Sequence, residues 1–142
     1  MLTLAATLGV GKSTANAEEI ALSLVNPKGR IDIPVSAVDR VQAYATIAFR
    51  NSETGAVRER PDPHVEVCVA KEFRERICGL TRRIVGQAMA VMVDCETVTK
   101  PIVRDPLCAG PCFSISANDL AEANALAQRI RRGTNRACAP SF

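Results

Sequence analysis

Strict alternation of apolar and polar residues marks the clearest strand in the chain. Residues 64–69 read HVEVCV, so Val65, Val67 and Val69 fall on one side and polar or small residues on the other. A period of two residues is the signature of a strand with one buried face. The pattern therefore predicts a half-buried strand whose valines point into a core.

Two later segments have the helical period instead. Residues 71–85 predict a helix that ends at Gly86, because glycine accepts the left-handed backbone that often follows a helix. A second helix is predicted to begin at Asn118 and Asp119 and to end at Gly133. The predicted buried positions are Phe73, Ile77, Leu80 and Ile84 in the first helix, and Leu120, Ala123, Ala127 and Ile130 in the second.

The remaining predicted elements are short. A turn cluster at residues 51–55 (NSETG) follows the alternating stretch 44–49 and favours a hairpin, although residues 36–45 also have helical spacing. We interpret residues 18–30 as a mixed lead-in and residues 58–63 as a polar loop. Further strands are predicted at residues 30–34, 88–93, 97–100 and 113–116.

The order of these elements indicates a fold class. Two helices separated by a hairpin suit an α+β, two-layer sandwich, with an antiparallel sheet that carries both helices on one face. We divide the chain into residues 1–17 as an export signal, residues 18–63 as an N-terminal strand and hairpin extension, and residues 64–142 as the main domain.

Composition excludes several classes of protein. Of the 142 residues, 47% are hydrophobic, so the chain has enough apolar side chains for a core. No run of about 18 apolar residues occurs, so we expect no membrane span. The net charge of +3 and the 4% of aromatic residues argue against a nucleic-acid partner.

The N-terminal stretch GVGKST resembles the end of a phosphate-binding loop. Gly11, Lys12 and Ser13 fit that motif, but Ala6 stands where the first glycine belongs. The alternative is an export signal, because residues 15–17 read ANA, a small-residue site for signal peptidase. We favour the export signal and keep a phosphate-binding enzyme as one alternative function.

Six cysteines indicate either disulfide bonds or a metal site. An even number in a small exported domain favours disulfides, and Cys108 and Cys112 form the one locally suggestive pair, because the glycine and proline between them allow a turn. The alternative is a cytosolic cysteine-rich zinc-binding protein, for which no second closely spaced pair is present. The cysteines are Cys68, Cys78, Cys95, Cys108, Cys112 and Cys138.

No catalytic arrangement is evident. His64 is the one histidine, and we interpret it as a solvated loop residue. Cys68, four residues further along a strand, would lie about 13 Å away, too far to share a proton with it. No G-x-S-x-G elbow occurs for a serine nucleophile. We therefore predict no catalytic residues, no cofactor and no metal site.

Arginines cluster near the ends of both predicted helices. If the helices lie side by side, these residues would form a basic edge for an acidic partner or lipid headgroups. The alternative is that they are ordinary solvated helix faces. The residues are Arg82, Arg83, Arg129, Arg131 and Arg132.

Residues 64–133 resemble a known family over their whole length. The segments TRRIVGQAMAVMVDCETVTKPIVRDPL and FSISANDLAEANALAQRIRRG resemble the head subdomain in the first periplasmic domain of SecD, a subunit of the bacterial protein-export machinery. The matching positions are Thr81, Arg82, Gly86, 89–94, Pro101, 104–107, Ile115, Ser116, Glu122, Ala123, Asn124, Leu126, Ala127, Arg131 and Gly133.

This resemblance implies a ferredoxin-like fold outside the cytoplasmic membrane and contact with exported polypeptides. The chain departs from the family at Cys95, which replaces a hairpin glycine, and at residues 108–112, which replace a glycine-rich loop. We therefore expect an exported, periplasmic, disulfide-stabilised binding module rather than an enzyme. Its expected partner is a polypeptide or another envelope protein, and a sheet edge offers a route for binding.

Overall fold

The computed structural model describes residues 18–134. The predicted export signal and the GVGKST stretch lie outside these residues, as does Cys138. Within the described range the chain forms seven strands, one 3-10 turn and two helices. They are β1 (Ile20–Asn26), β2 (Gly29–Pro34), a 3-10 turn (Val35–Ala37), β3 (Val38–Arg50), β4 (Val57–Val69), α1 (Lys71–Arg83), β5 (Ala90–Val93), β6 (Glu96–Thr99), β7 (Cys112–Ser116) and α2 (Leu120–Arg132).

The strands form two antiparallel sheets where the sequence predicted one. The first sheet has the order β2-β1-β5-β6 and the second the order β3-β4-β7. Helix α1 packs against β2, and helix α2 packs against β3, β4 and β1. The arrangement confirms the predicted α+β sandwich. In the part of the chain that the structure describes, no helix is long and apolar enough to cross a membrane.

One continuous core joins both sheets and both helices. The alternating valines of β4 are buried as predicted, with Val65 and Val67 at 0% exposure and Val69 at 1%. The predicted apolar stripe of α1 is buried as well. In α2 the predicted positions are buried except Leu120, which is 42% exposed at the first turn, while Leu126 takes part in the core instead.

Strand β1 was not predicted, yet it lies in the interior of the first sheet. It pairs with β2 on one side and with β5 on the other. Leu22 and Leu24 are fully buried. The lead-in interpretation of residues 18–30 is therefore wrong. The predicted boundary after residue 63 falls inside β4, so residues 18–63 and the following residues share one core.

The hairpin around residues 51–55 is confirmed, but its strands are longer than predicted. Strand β3 begins at Val38, so the alternative helix at residues 36–45 is wrong, and β4 runs straight through residues 58–63, which we interpreted as a loop. Strand β7 pairs only with residues 64–68 of β4. The outer part of the hairpin is therefore a two-stranded ribbon beyond the end of β7.

A tight turn joins β5 to β6 at Asp94 and Cys95. Both residues have positive φ, 54° and 61°. Two successive left-handed residues match the twist of a two-residue hairpin and usually favour glycine or asparagine. Cys95 occupies this position where the resembling family has glycine.

Candidate functional site

Strand β7 has an open edge. Ala117, just after the strand, donates its backbone N–H to Pro63 O at 2.9 Å. Backbone groups alternate in direction along a strand, so every second residue back from Ala117 also directs its N–H and C=O groups towards β4. The residues between them point their backbone groups to the opposite side, where no described strand pairs with β7. These outward residues are Cys112, Ser114 and Ser116. Such a row of backbone donors and acceptors can pair with another extended chain.

The neighbouring edge of β4 is blocked by prolines. Pro63 faces the β7 side, and Pro61, two residues earlier, faces the same side beyond the end of β7. Proline has no N–H, so it cannot donate to an added strand, and it is tolerated in a sheet only at such edges. This explains why a strand can contain the Pro61-Asp62-Pro63 sequence.

The edge of β3 is partly covered. Arg131 of α2 donates through its guanidinium to the carbonyl oxygen of Val41, an edge residue of β3. Helix α2 also packs along this strand. Of the two edges of the second sheet, β7 is thus the more accessible.

An apolar cleft lies beside the open edge of β7. Its volume is about 370 Å³, and it lies between the inner faces of the two sheets and the linker that joins β6 to β7. Its apolar lining includes Leu24, Met89, Val91, Val103, Leu107, Phe113 and Ile115, and polar residues Arg104, Asp105, Ser114 and Ser116 lie around them. A second, more polar cavity of about 490 Å³ shares Thr99 and Ser116 with it, so the groove continues towards α2.

The linker is held by backbone bonds at its start. Val103 donates to Gln87 O at 2.9 Å and accepts from Gly86 N at 2.7 Å, which extends the β5–β6 ladder. After Val103, residues 104–111 are all exposed. In that stretch Leu107 N donates to Thr81 Oγ1 at 2.9 Å, and Thr81 is completely buried in α1.

Two disulfides hold the rest of the linker. Cys78 of α1 bonds Cys108, and Cys68 of β4 bonds Cys112. The predicted pairing of Cys108 with Cys112 is therefore wrong. Cys112 lies directly opposite Cys68 in the β4–β7 register, where Cα atoms approach closely, at 3.9 Å here. The hydrogen bond from Leu107 to Thr81 holds the linker against α1 and so places Cys108, the next residue, near Cys78.

The zinc-binding alternative lacks support. Zinc would need cysteine thiolates as ligands. All five cysteines among the described residues are disulfide-bonded. Glu66 lies beside the Cys68–Cys112 bond and completes a possible ligand group, but both sulfurs are already bonded to each other. The prediction that the cysteines form disulfide bonds is confirmed for the described residues.

The five predicted arginines have different neighbours. Arg129 forms an ion pair with Glu96 at 2.8 Å and donates to Val93 O, so it ties α2 to the β5–β6 hairpin. Arg82 contacts Cys108 Sγ at 3.7 Å. Arg83 lies against the β1–β2 turn, Arg131 donates to Val41 O on the edge of β3, and Arg132 is exposed. A partner-facing edge made of all five stays a prediction.

His64 is a strand residue rather than a loop residue. It is 9% exposed, its ring stacks on Tyr44 with centroids 5.3 Å apart, and its Nδ1 lies 2.6 Å from Asp62 O. The interpretation of His64 as a solvated loop residue is wrong. Its contacts are those of a residue that stabilises the β3–β4 pairing.

Comparisons with known proteins agree with this architecture. The model of the family described as SecDF, P1 head subdomain, matches residues 33–135. A solved structure of SecDF, described as a membrane component that enhances protein export, is 20% identical, with 79% of this chain and 46% of that chain covered and a TM-score of 0.52. A SecDF crystal structure in a super-membrane-facing form is 19% identical, with coverage of 79% and 14% and a TM-score of 0.49. No curated protein sequence matches the chain.

The fold and the site define a small α+β sandwich domain with an open strand edge and a linker held by disulfides. The family match covers most of the chain, so the chain belongs to the SecDF P1 head subdomain family. This confirms the resemblance found in the sequence. At 20% identity the solved SecDF structure supports the fold alone, and this chain spans less than half the length of that SecDF chain.

Proposed function

We propose that this chain is a non-catalytic accessory module of protein export that binds polypeptide segments in an extended conformation along the β7 edge. Membership of the SecDF P1 head subdomain family supports a role in export. Its disulfides are typical of proteins that fold in an oxidising compartment, which supports a periplasmic location.

The open edge of β7 carries this proposal. A polypeptide added as a further strand would bond to the outward backbone groups of Ser114 and Ser116, and such bonds do not depend on the peptide's sequence. Both serines are exposed. A module that handles many different exported chains needs this kind of sequence-independent contact.

The adjacent cleft supplies the second part of the interaction. In a bound strand, alternate side chains point to opposite faces, so every second side chain would enter the apolar cleft. A volume of about 370 Å³ is within the range of small ligand pockets. We therefore expect a preference for peptides in which apolar residues alternate with polar ones.

Proline at the edge tests the proposal. Ser114→Pro removes one outward N–H and places a ring where the added strand would lie, while Ser114→Ala removes only the hydroxyl group. We expect Ser114→Pro to weaken binding about tenfold, because a peptide loses a backbone hydrogen bond and meets a steric block. Ser114→Ala should stay within about twofold of the parent chain.

The measurement is fluorescence anisotropy with a labelled, permanently unfolded polypeptide, carried out on the oxidised full chain. Thermal melting of each variant checks that it remains folded. Equal affinity of the proline and alanine variants would rule out strand addition at β7. An oxidised parent chain that binds no unfolded polypeptide would overturn the proposed function itself.

A further inference from the structure

A depression on the outer side of α1 surrounds the Cys78–Cys108 disulfide. Its volume is about 360 Å³, and it opens to solvent. Cys108 is exposed and Cys78 is half-buried, so this disulfide lies at the surface of the domain. The charged residues that line it are Lys71, Arg74, Glu75 and Arg82.

These charged residues make the depression electropositive. Three cations face one carboxylate, and none of the four takes part in the ion pairs formed within the described chain. Arg74 and Arg82 lie one helical turn before and after Cys78, so both flank its sulfur. The Nε atom of Arg74 is buried and has no hydrogen-bond partner. A bound ion or water is one explanation for an unsatisfied buried donor on a cation.

The Cys68–Cys112 disulfide has a different setting. Cys68 is only 6% exposed and Cys112 is half-buried, and the Glu66 carboxylate, which is ion-paired with Arg40 at 3.4 Å, lies within 4.8 Å of both sulfurs. An excess of neighbouring cations favours both the approach of a thiolate and the formation of one, and a carboxylate paired with a single arginine supplies no such excess. The two bonds therefore differ in accessibility and in local net charge, because three cations face one carboxylate around Cys78–Cys108, whereas Glu66 and Arg40 offset each other beside Cys68–Cys112.

We propose that Cys78–Cys108 is a site of thiol–disulfide exchange with small thiols that carry a carboxylate group. The thiolate of the incoming molecule attacks Cys108 Sγ, the sulfur of the more exposed cysteine. The bond between Cys78 and Cys108 breaks, a mixed disulfide forms at Cys108, and the electron pair leaves on Cys78 as a thiolate beside Arg74 and Arg82. The carboxylate of the incoming molecule meets the same cations.

A second thiol completes the reaction. Its thiolate attacks the external sulfur of the mixed disulfide, which releases an oxidised small-molecule disulfide and leaves Cys108 as a thiolate. Two electrons pass from the two small thiols to the protein disulfide, and each new cysteine thiolate takes up a proton from solvent. The thiol is the only co-reactant, and the reverse sequence restores the bond.

Opening this bond would loosen one wall of the cleft, an inference that rests on the proposed function. Residues 104–111 are exposed, so little burial holds them in place. Without Cys78–Cys108, the contact from Leu107 to Thr81 and the distant Cys68–Cys112 bond would remain. Exchange would thus weaken peptide binding without unfolding the core.

Three thiols of similar size and different charge test the exchange site. The oxidised full chain is incubated with mercaptoacetate, 2-mercaptoethanol or cysteamine, and free thiols are then alkylated and mapped by mass spectrometry. We expect mercaptoacetate to form the adduct at Cys108 about fivefold faster per thiolate than 2-mercaptoethanol, and cysteamine to be slowest. Added salt should reduce the difference. Cys68–Cys112 should remain intact under the same conditions.

A pair of charge-matched variants isolates the role of the depression. Arg74→Gln with Arg82→Gln removes two cations at the site, and Arg83→Gln with Arg132→Gln removes two cations elsewhere. The first variant should lose the preference for mercaptoacetate, and the second should keep it. Equal preference in the first variant and the parent chain, or faster exchange at Cys68–Cys112, would overturn the proposal.

The link to the cleft has its own test. In Cys78→Ser with Cys108→Ser, we expect faster hydrogen exchange at residues 104–111 and about fivefold weaker binding of the unfolded polypeptide, because the loose segment must be ordered on binding. Unchanged affinity with faster hydrogen exchange would overturn the coupling. If the oxidised parent binds no polypeptide, the proposed function fails, and the exchange rates still decide the exchange site.

Discussion

The two walls of the cleft are held in place by different means. Strand β1 supplies Leu24, which is 0% exposed and lies in a strand paired on both sides. The linker supplies Leu107, which is 40% exposed and lies in a segment held by two disulfides and one bond to Thr81. One wall is stabilised by burial and backbone pairing, and the other by a few specific bonds.

This difference shows how a small domain can combine a rigid core with an adjustable site. Segments with few buried apolar contacts open at a lower free energy than the core. Breaking one covalent bond can then change the linker wall while β1 keeps its position. Substitutions in the two walls should therefore differ strongly in their effect on the free energy of unfolding.

The largest effect is expected in the β1 wall. Leu24→Ala should lower the free energy of unfolding by about 3 kcal/mol, because it removes buried methyl groups and leaves a cavity in the core. Urea denaturation followed by circular dichroism measures this value. A loss below about 1 kcal/mol would show that β1 is not held by burial.

An intermediate effect is expected where the linker meets α1. Thr81→Val should cost about 1.5 kcal/mol, because Leu107 N loses its acceptor and Ile77 O loses a donated hydrogen bond. Thr81→Ser, which keeps the hydroxyl group, is the control. If valine is tolerated better than serine, the bond from Leu107 does not stabilise the linker.

The smallest effect is expected in the linker wall. Leu107→Ala makes the same chemical change as Leu24→Ala, but at a residue that is 40% exposed. We expect a change below about 0.5 kcal/mol by the same urea measurement. A loss close to that of Leu24→Ala would mean that burial holds both walls, and the contrast between them would disappear.

Much of the main domain could be predicted from local patterns. The inward valines of β4 and the apolar stripe of α1 follow directly from periods of 2 and 3.6 residues. Helix α2 was located by its capping residues, since Asp119 accepts a hydrogen bond from Glu122 N at 2.7 Å as a capping residue does. Each of these signals depends on residues close together in the chain.

The candidate site was predicted less well, because its signals are not local. Residues 61–63 (PDP) resemble a loop until the pairing partner is known, and only the position of β7 shows that Pro63 lies at the end of the β4–β7 pairing and Pro61 beyond it. The spacing between Cys108 and Cys112 suggested a local bond. A cysteine's partner depends on which strand and helix lie beside it, and the chain order does not contain that information.

The sequence by itself determined the helices, the inward face of β4 and membership of an export-related family. Periodicity, capping and motif order depend only on which residues lie close together in the chain. Only the tertiary structure decided which strand edge stays open, which cysteines pair and which cations surround a disulfide. These features arise from contacts between segments as far apart as β4 and β7, joined by a bond between residues 44 positions apart. Such contacts exist only when the chain folds and brings those segments together.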